Sequence, residues 1–174
     1  MKHGIRLVVM AGVMFVAVIA GVAAGGGREL MDVWHLPVAP YPPGFTMRHP
    51  LAPQGWEPVM VFIAGEPTGH IESGEVLFRV GASGSWTAID LQYFVSSSGY
   101  DFWIGTLPAS TPSITMAYYF AMHAAGYDDT YVYGTDQASY RTDNETAAAA
   151  GAFSYTTSSY GSPTPTPMST ETPL

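Results

Sequence analysis

The sequence predicts an all-β protein, an antiparallel β-sandwich of about seven strands, and three observations carry that prediction. The stretch Ser113 to Gly126 places Ile114, Met116, Tyr118, Phe120 and Met122 at every second position. Thr115, Ala117, Tyr119, Ala121 and His123 lie between them. A period of two held for ten residues is that of a strand with one buried and one wet face. Other short apolar or alternating runs recur along the chain, parted by Gly, Ser and Pro turns. Helix signals occur in one place only, between Thr142 and Gly151.

The two ends differ from this pattern. Lys2 and Arg6 precede an apolar run from Leu7 to Ala24, which closes on Val22-Ala23-Ala24 and a Gly25-Gly26-Gly27 spacer. A charged start, an apolar middle and a small-residue exit make residues 1–24 a bacterial-type export signal, and the product secreted or cell-surface. Read as an uncleaved anchor, the same run is almost long enough to span a bilayer. Residues 25–43 form a Gly/Pro-rich segment and residues 44–157 the β-sandwich. Residues 158–174, with Pro163-Thr164-Pro165-Thr166-Pro167, form a Ser/Thr/Pro-rich linker or tail that cannot bury a core.

The 174-residue chain contains no cysteine. Disulfides, a lipidated N-terminal cysteine and Cys-based zinc sites or nucleophiles are therefore excluded, and stability must come from one hydrophobic core. Beyond the signal there is no lysine. Arg28, Arg48, Arg79 and Arg141 stand against fourteen carboxylates, a formal charge of −10. Nucleic acid and anionic membrane surfaces need clustered cations, so neither is an expected partner.

Taken in order, residues 28–58 carry seven prolines. Without amide donors, such a stretch suits an extended edge segment, anchored by Trp34, Tyr41 and Phe45, with Gly44–Arg48 as a first edge strand. Val59–Ala64 is a continuous apolar run, short enough to be a strand covered on both faces. Glu75–Val80 alternates Val76, Phe78 and Val80 with Glu75, Leu77 and Arg79. The Gly81–Ser85 turn then returns a strand from Trp86 to Phe94, with Ile89 and Leu91 on one face and Trp86, Ala88 and Asp90 on the other. Ser96–Gly99 turns into a strand over Tyr100–Leu107, ended by Pro108. Thr130–Tyr133 is a short strand, and Thr142-x-x-Glu145 before Ala147–Ala150 and Gly151 reads as a capping box, one or two helical turns and a glycine stop. Ala152–Thr156 is the last strand, with Phe153 and Tyr155 on one face.

The succession Val76-Leu77-Phe78-Arg79-Val80, a Gly-Ser turn, Trp86-Thr87, Tyr100 with Trp103, Leu107-Pro108-Ala109 and Ala117-Tyr118-Tyr119-Phe120 resembles a known type. It is similar to the fibronectin III-like or immunoglobulin-like accessory modules of secreted bacterial carbohydrate-active enzymes, over roughly residues 44 to 157. The resemblance implies an immunoglobulin-like sandwich in a non-catalytic role and, in some such modules, binding of starch or other glucans.

In a sandwich of that type the strands bearing Arg79, Trp86 and Tyr119 share one sheet. If the large residues of the central strand face inward, Tyr119 and His123 face outward, with Arg79, Trp86 and Asp90. Aromatic faces stack on the C–H surface of a pyranose while charged and imidazole groups bind its hydroxyls, so these five residues form the candidate sugar face. The competing reading is a covered, purely stabilising aromatic pair. Asp128, Asp129 and Asp136, near Asp143 and Glu145, suggest a structural calcium site, although their spacing matches no EF-hand. His35, His49, His70 and His123 have no metal-ligand spacing. Nucleophile, zinc-protease and phosphate-loop motifs are absent, and neither Glu72 with Glu75 nor Asp101 has the spacing of a glycosidase pair. Asn144-Glu145-Thr146 fits the glycosylation pattern.

The expected function is an exported, non-catalytic, monomeric module binding a neutral polysaccharide. The alternative is a structural or adhesive immunoglobulin-like domain that binds a cell-surface protein or acts as a spacer.

Overall fold

The computed structural model describes residues 28–35 and 55–158. Within them the chain forms ten strands and one short helix. These are β1 (Asp32–Trp34), β2 (Val59–Glu66), β3 (Ile71–Val80), β4 (Thr87–Asp90), β5 (Gln92–Ser97), β6 (Tyr100–Leu107), β7 (Thr115–Ala124), β8 (Thr130–Thr135), β9 (Ala138–Thr142), α1 (Glu145–Ala150) and β10 (Phe153–Thr156). Strands β1-β2-β6-β5 make a four-stranded antiparallel sheet. A six-stranded sheet runs β4-β3-β7-β8-β9, with β10 also on β7.

The period-two strand is β7, and it is central. One edge pairs with β3 from Met116 to Ala124. The other is shared, with β10 along Thr115–Tyr118 and β8 along Phe120–Met122. Met116, Tyr118, Phe120 and Met122 point inward, each at most 1% exposed. They meet Val59, Val61, Ile63 and Leu107 from the opposite sheet in one core with Val76, Phe78, Phe153 and Tyr155. Burying each large side chain contributes roughly 1.5–3 kcal/mol. The sheets pack tightly at Gly105, where an added Cβ would lie 2.9 Å from a Val76 methyl across the interface. β2 is buried on both faces as its unbroken apolar run requires, with Phe62 and Ala64 on the side away from the main core.

Several expectations are corrected. The strand from Trp86 to Phe94 is two strands: β4 belongs to the six-stranded sheet and β5 to the four-stranded one. The chain changes sheet at Leu91, whose N–H donates to the Gly74 carbonyl at 2.8 Å while its side chain stays in the core. The helix cap is Asn144, whose Oδ1 accepts from the Ala147 N–H at 3.1 Å, and not Thr142, whose hydroxyl accepts from the Asn144 N–H. Gly151 closes the helix by donating to the Ala147 carbonyl. The proline-rich region contributes β1, which pairs with β2 from Asp32↔Glu66 to Trp34↔Ala64. β9 had no sequence signal beyond its turn. Gly44–Arg48, the signal at 1–24 and the tail beyond 158 lie outside the described residues. Among the described residues no helix is long and apolar enough to cross a membrane.

His35 follows β1 and is fully buried. Its Nδ1 lies 2.5 Å from the Phe62 carbonyl and its Nε2 2.9 Å from the Tyr118 hydroxyl, while Phe120 and Phe153 enclose the ring. A carbonyl can only accept, so Nδ1 carries the proton and Nε2 accepts from Tyr118. One imidazole thus ties both sheets to the N-terminal strand.

Candidate functional site

The outer face of the six-stranded sheet is laid out by register. Successive rows across β3 and β7 are Ser73↔His123, Glu75↔Ala121, Leu77↔Tyr119 and Arg79↔Ala117. On the other side of β3, Asp90 pairs with Glu75 and Thr87 with Phe78, which sets Trp86 beside Arg79. The five sugar-face residues therefore share one face without converging. The rows of Arg79 and His123 are three steps apart, roughly 20 Å.

Arg79, Trp86 and Tyr119 form one cluster. The Arg79 guanidinium carbon lies 4.6 Å from the Trp86 ring centroid, a cation–π contact. The Trp86 and Tyr119 rings are 4.8 Å apart at 77°, edge to face rather than coplanar. Tyr119 faces away from the core as its parity requires, yet it is only 1% exposed. Trp86 and Tyr131 flank it, and its hydroxyl donates to Glu145 Oε1 of α1 at 2.8 Å. Burial, reinforced by that carboxylate, raises the phenol well above its ordinary value. Tyr119 is therefore a structural residue under a lid, and the expected flat strip of Trp86 and Tyr119 does not exist. Trp86 itself remains partly exposed.

The other two residues have separate surroundings. The His123 Nδ1 sits 2.8 Å from Asp129 Oδ1 in an exposed pair, a geometry that contributes little to stability. Asp90 is exposed opposite Glu75, two carboxylates facing each other across the strands.

The calcium expectation is corrected. Asp128 and Asp129 precede β8 and Asp136 follows it, so six residues of strand, about 20 Å, separate the two ends. Among the described residues no three metal-binding side chains gather. Asp101 is buried, and its carboxylate accepts from the Gly69 N–H at 2.6 Å and from the Ser96 hydroxyl. Its bonds fasten the turn that follows the cis Glu66-Pro67 bond.

Beside the Arg79 cluster lies an open trough of about 400 Å³. Ala117 is its floor, since Arg79↔Ala117↔Ser154 is a register row across β3, β7 and β10. Arg79 and Gly81 form one bank, and Ala149, Ala150 and Ser154 the other. Sequence reasoning missed this feature, because the far bank is built by α1 and β10. Elsewhere, Tyr93 is half exposed and meets Trp103 edge to face at 5.9 Å on the four-stranded sheet, a pair with no signal in sequence spacing.

No protein-family model matches the chain, and no curated protein does either. Among solved structures it is similar to the cycloalternan-forming enzyme from Listeria monocytogenes in complex with pentasaccharide substrate. That match has a TM-score of 0.43 and 14% identity over 61% of this chain and 8% of the enzyme's. A cyclomaltodextrinase is similar with a TM-score of 0.45 and 13% identity, over 60% of this chain and 17% of its own. The chain thus spans a small fraction of either enzyme.

Proposed function

We propose that the chain is an exported, non-catalytic, immunoglobulin-like β-sandwich module that binds a polysaccharide at the Trp86–Arg79 corner of its six-stranded sheet. The observation that carries this reading is a partly exposed indole braced by Tyr119 and stacked with Arg79, which also lines the trough. An indole held rigid offers an apolar surface to sugar C–H groups with little ordering cost, and guanidinium N–H groups donate to hydroxyls. The site is a corner with a side pocket, so it suits a chain segment or end better than a crystalline surface. The strongly acidic mature chain keeps the bulk of the ligand neutral. Retention of the protein on insoluble neutral polysaccharides, scored against a carbohydrate-free resin, tests this reading. Absence of retention across starch, other glucans and chitin defeats it.

A second reading, a structural or adhesive domain acting as spacer or protein ligand, is favoured by one observation. Tyr119 is spent on packing and meets Trp86 edge to face, so it gives Trp86 no coplanar partner. A glycan array with no positive feature, together with capture of a cell-surface protein, is the outcome specific to this alternative.

A further inference from the structure

Arg79 is the unusual group on this face. Its Nε is buried with no hydrogen-bond partner among the described residues. Arg141 instead pairs with Asp32 and the Met31 carbonyl, and no carboxylate among the described residues is paired with Arg79. A desolvated guanidinium N–H without an acceptor is costly, and Trp86 offsets only the cation through its ring face. The buried Nε is out of a ligand's reach, but the terminal N–H groups of the guanidinium, paired with no carboxylate among the described residues, can hold a ligand carboxylate through two parallel bonds.

The trough beside Arg79 supplies the remainder of a site. The trough is open to solvent and has room for about 400 Å³. Among the described residues no Asp or Glu lines it, although the chain as a whole is acidic. Across the Ala117 floor, Ser154 is exposed and turned to the same face, two strands from Arg79 and so roughly 10 Å away backbone to backbone. That is the span of one sugar ring with its substituents. The small residues Ala117, Ala149 and Ala150 leave the space open.

We propose that this trough binds a single acidic sugar unit of the uronic acid class. Its carboxylate sits on Arg79, its ring lies over Ala117, and a hydroxyl reaches Ser154. The proposal rests on the polysaccharide reading and sharpens it: the ligand is a largely neutral glycan carrying isolated or terminal carboxylate sugars. A polyuronate is disfavoured by repulsion from a chain whose residues beyond the signal carry a formal charge of −10.

The test is a titration of the protein with glucuronic acid, with glucose in parallel, followed by NMR shifts of the Ala117 and Ser154 amides and the Trp86 indole. Glucuronic acid should shift these signals and glucose at equal concentration should not. R79Q should weaken the response at least about tenfold, the scale of a lost charge-assisted pair. A117L keeps Arg79 but fills the floor, so it should also block binding, and its melting curve shows that the fold persists. Equal response to both sugars, no response to glucuronic acid, or undiminished response in folded R79Q or A117L overturns the acidic-sugar site. Retention on neutral polysaccharide is scored separately: if it persists while glucuronic acid fails, the module binds glycan by Trp86 alone. If it is absent while glucuronic acid binds, the polysaccharide reading fails and the carboxylate site stands as a small-molecule site.

Discussion

The Tyr119 hydroxyl lies 2.8 Å from Glu145 Oε1, and this contact connects the central strand to the helix that crosses its outer face. It converts an outward position on β7 into a buried one and leaves Trp86 as the surface member of the pair. Replacing Tyr119 by Phe removes the bond and leaves the ring. The expected cost is about 1–2 kcal/mol in denaturant unfolding, with glycan retention unchanged. A loss of retention without a loss of stability would return Tyr119 to the binding surface.

Alkaline pH should destabilise the fold. Burial raises the pKa of both Tyr119 and Tyr155 above the ordinary tyrosine value. A raised folded pKa means that the unfolded chain releases its phenol protons first. The contribution is complete below about pH 10 and lost as pH climbs above it. Melting curves between pH 9 and 11.5 should show Tm falling in the upper half of that range. Tyr155→Phe should fall less steeply, and identical slopes would contradict the assignment.

Asp32 and Glu66 face each other across β1 and β2. Burial first, then the Asp32 charge and a hydrogen bond with Asp32, raise the Glu66 carboxyl, against the lowering effect of Arg141. A raised carboxyl favours the fold when protonated, and that stability is lost as pH rises through its titration. Glu66→Gln should therefore stabilise at pH 7 by about 0.5 kcal/mol, the scale of a cross-strand pair. The advantage should shrink toward pH 4. Equal gain at both pH values would contradict the electrostatic origin.

His35 holds Phe62 and Tyr118 from one ring. His35→Phe keeps the bulk and removes both polar contacts. About 1–3 kcal/mol per deprived buried group follows, read as a lower urea midpoint. His35→Gln, which can still offer a donor and an acceptor, should recover part of the loss.

Much of this fold was legible in the chain because alternation reports directly which face is buried. The rows from Ile114 to Met122 and from Val76 to Phe78 name inward residues whatever their neighbours are. The same alternation hid the sheet change at Leu91, since Ile89 of β4 and Leu91 at the crossover point to one core. The shared face of Arg79 and Trp86 was legible by parity. The burial of Tyr119 was not, because its cover, Glu145, is 26 residues away. His35 offered no signal either, with partners 27 and 83 residues distant. The calcium expectation failed for a related reason, as acidic residues close in sequence were separated by the length of β8.

In the proposed site Trp86 makes the binding contact with glycan. The most direct measurement is a binding isotherm on insoluble neutral polysaccharide for the native protein and Trp86→Ala, below the Tm of both. The native protein should show saturable retention and the variant at least about a tenfold loss, as expected for an aromatic anchor. Native retention that the variant reproduces unchanged would contradict it.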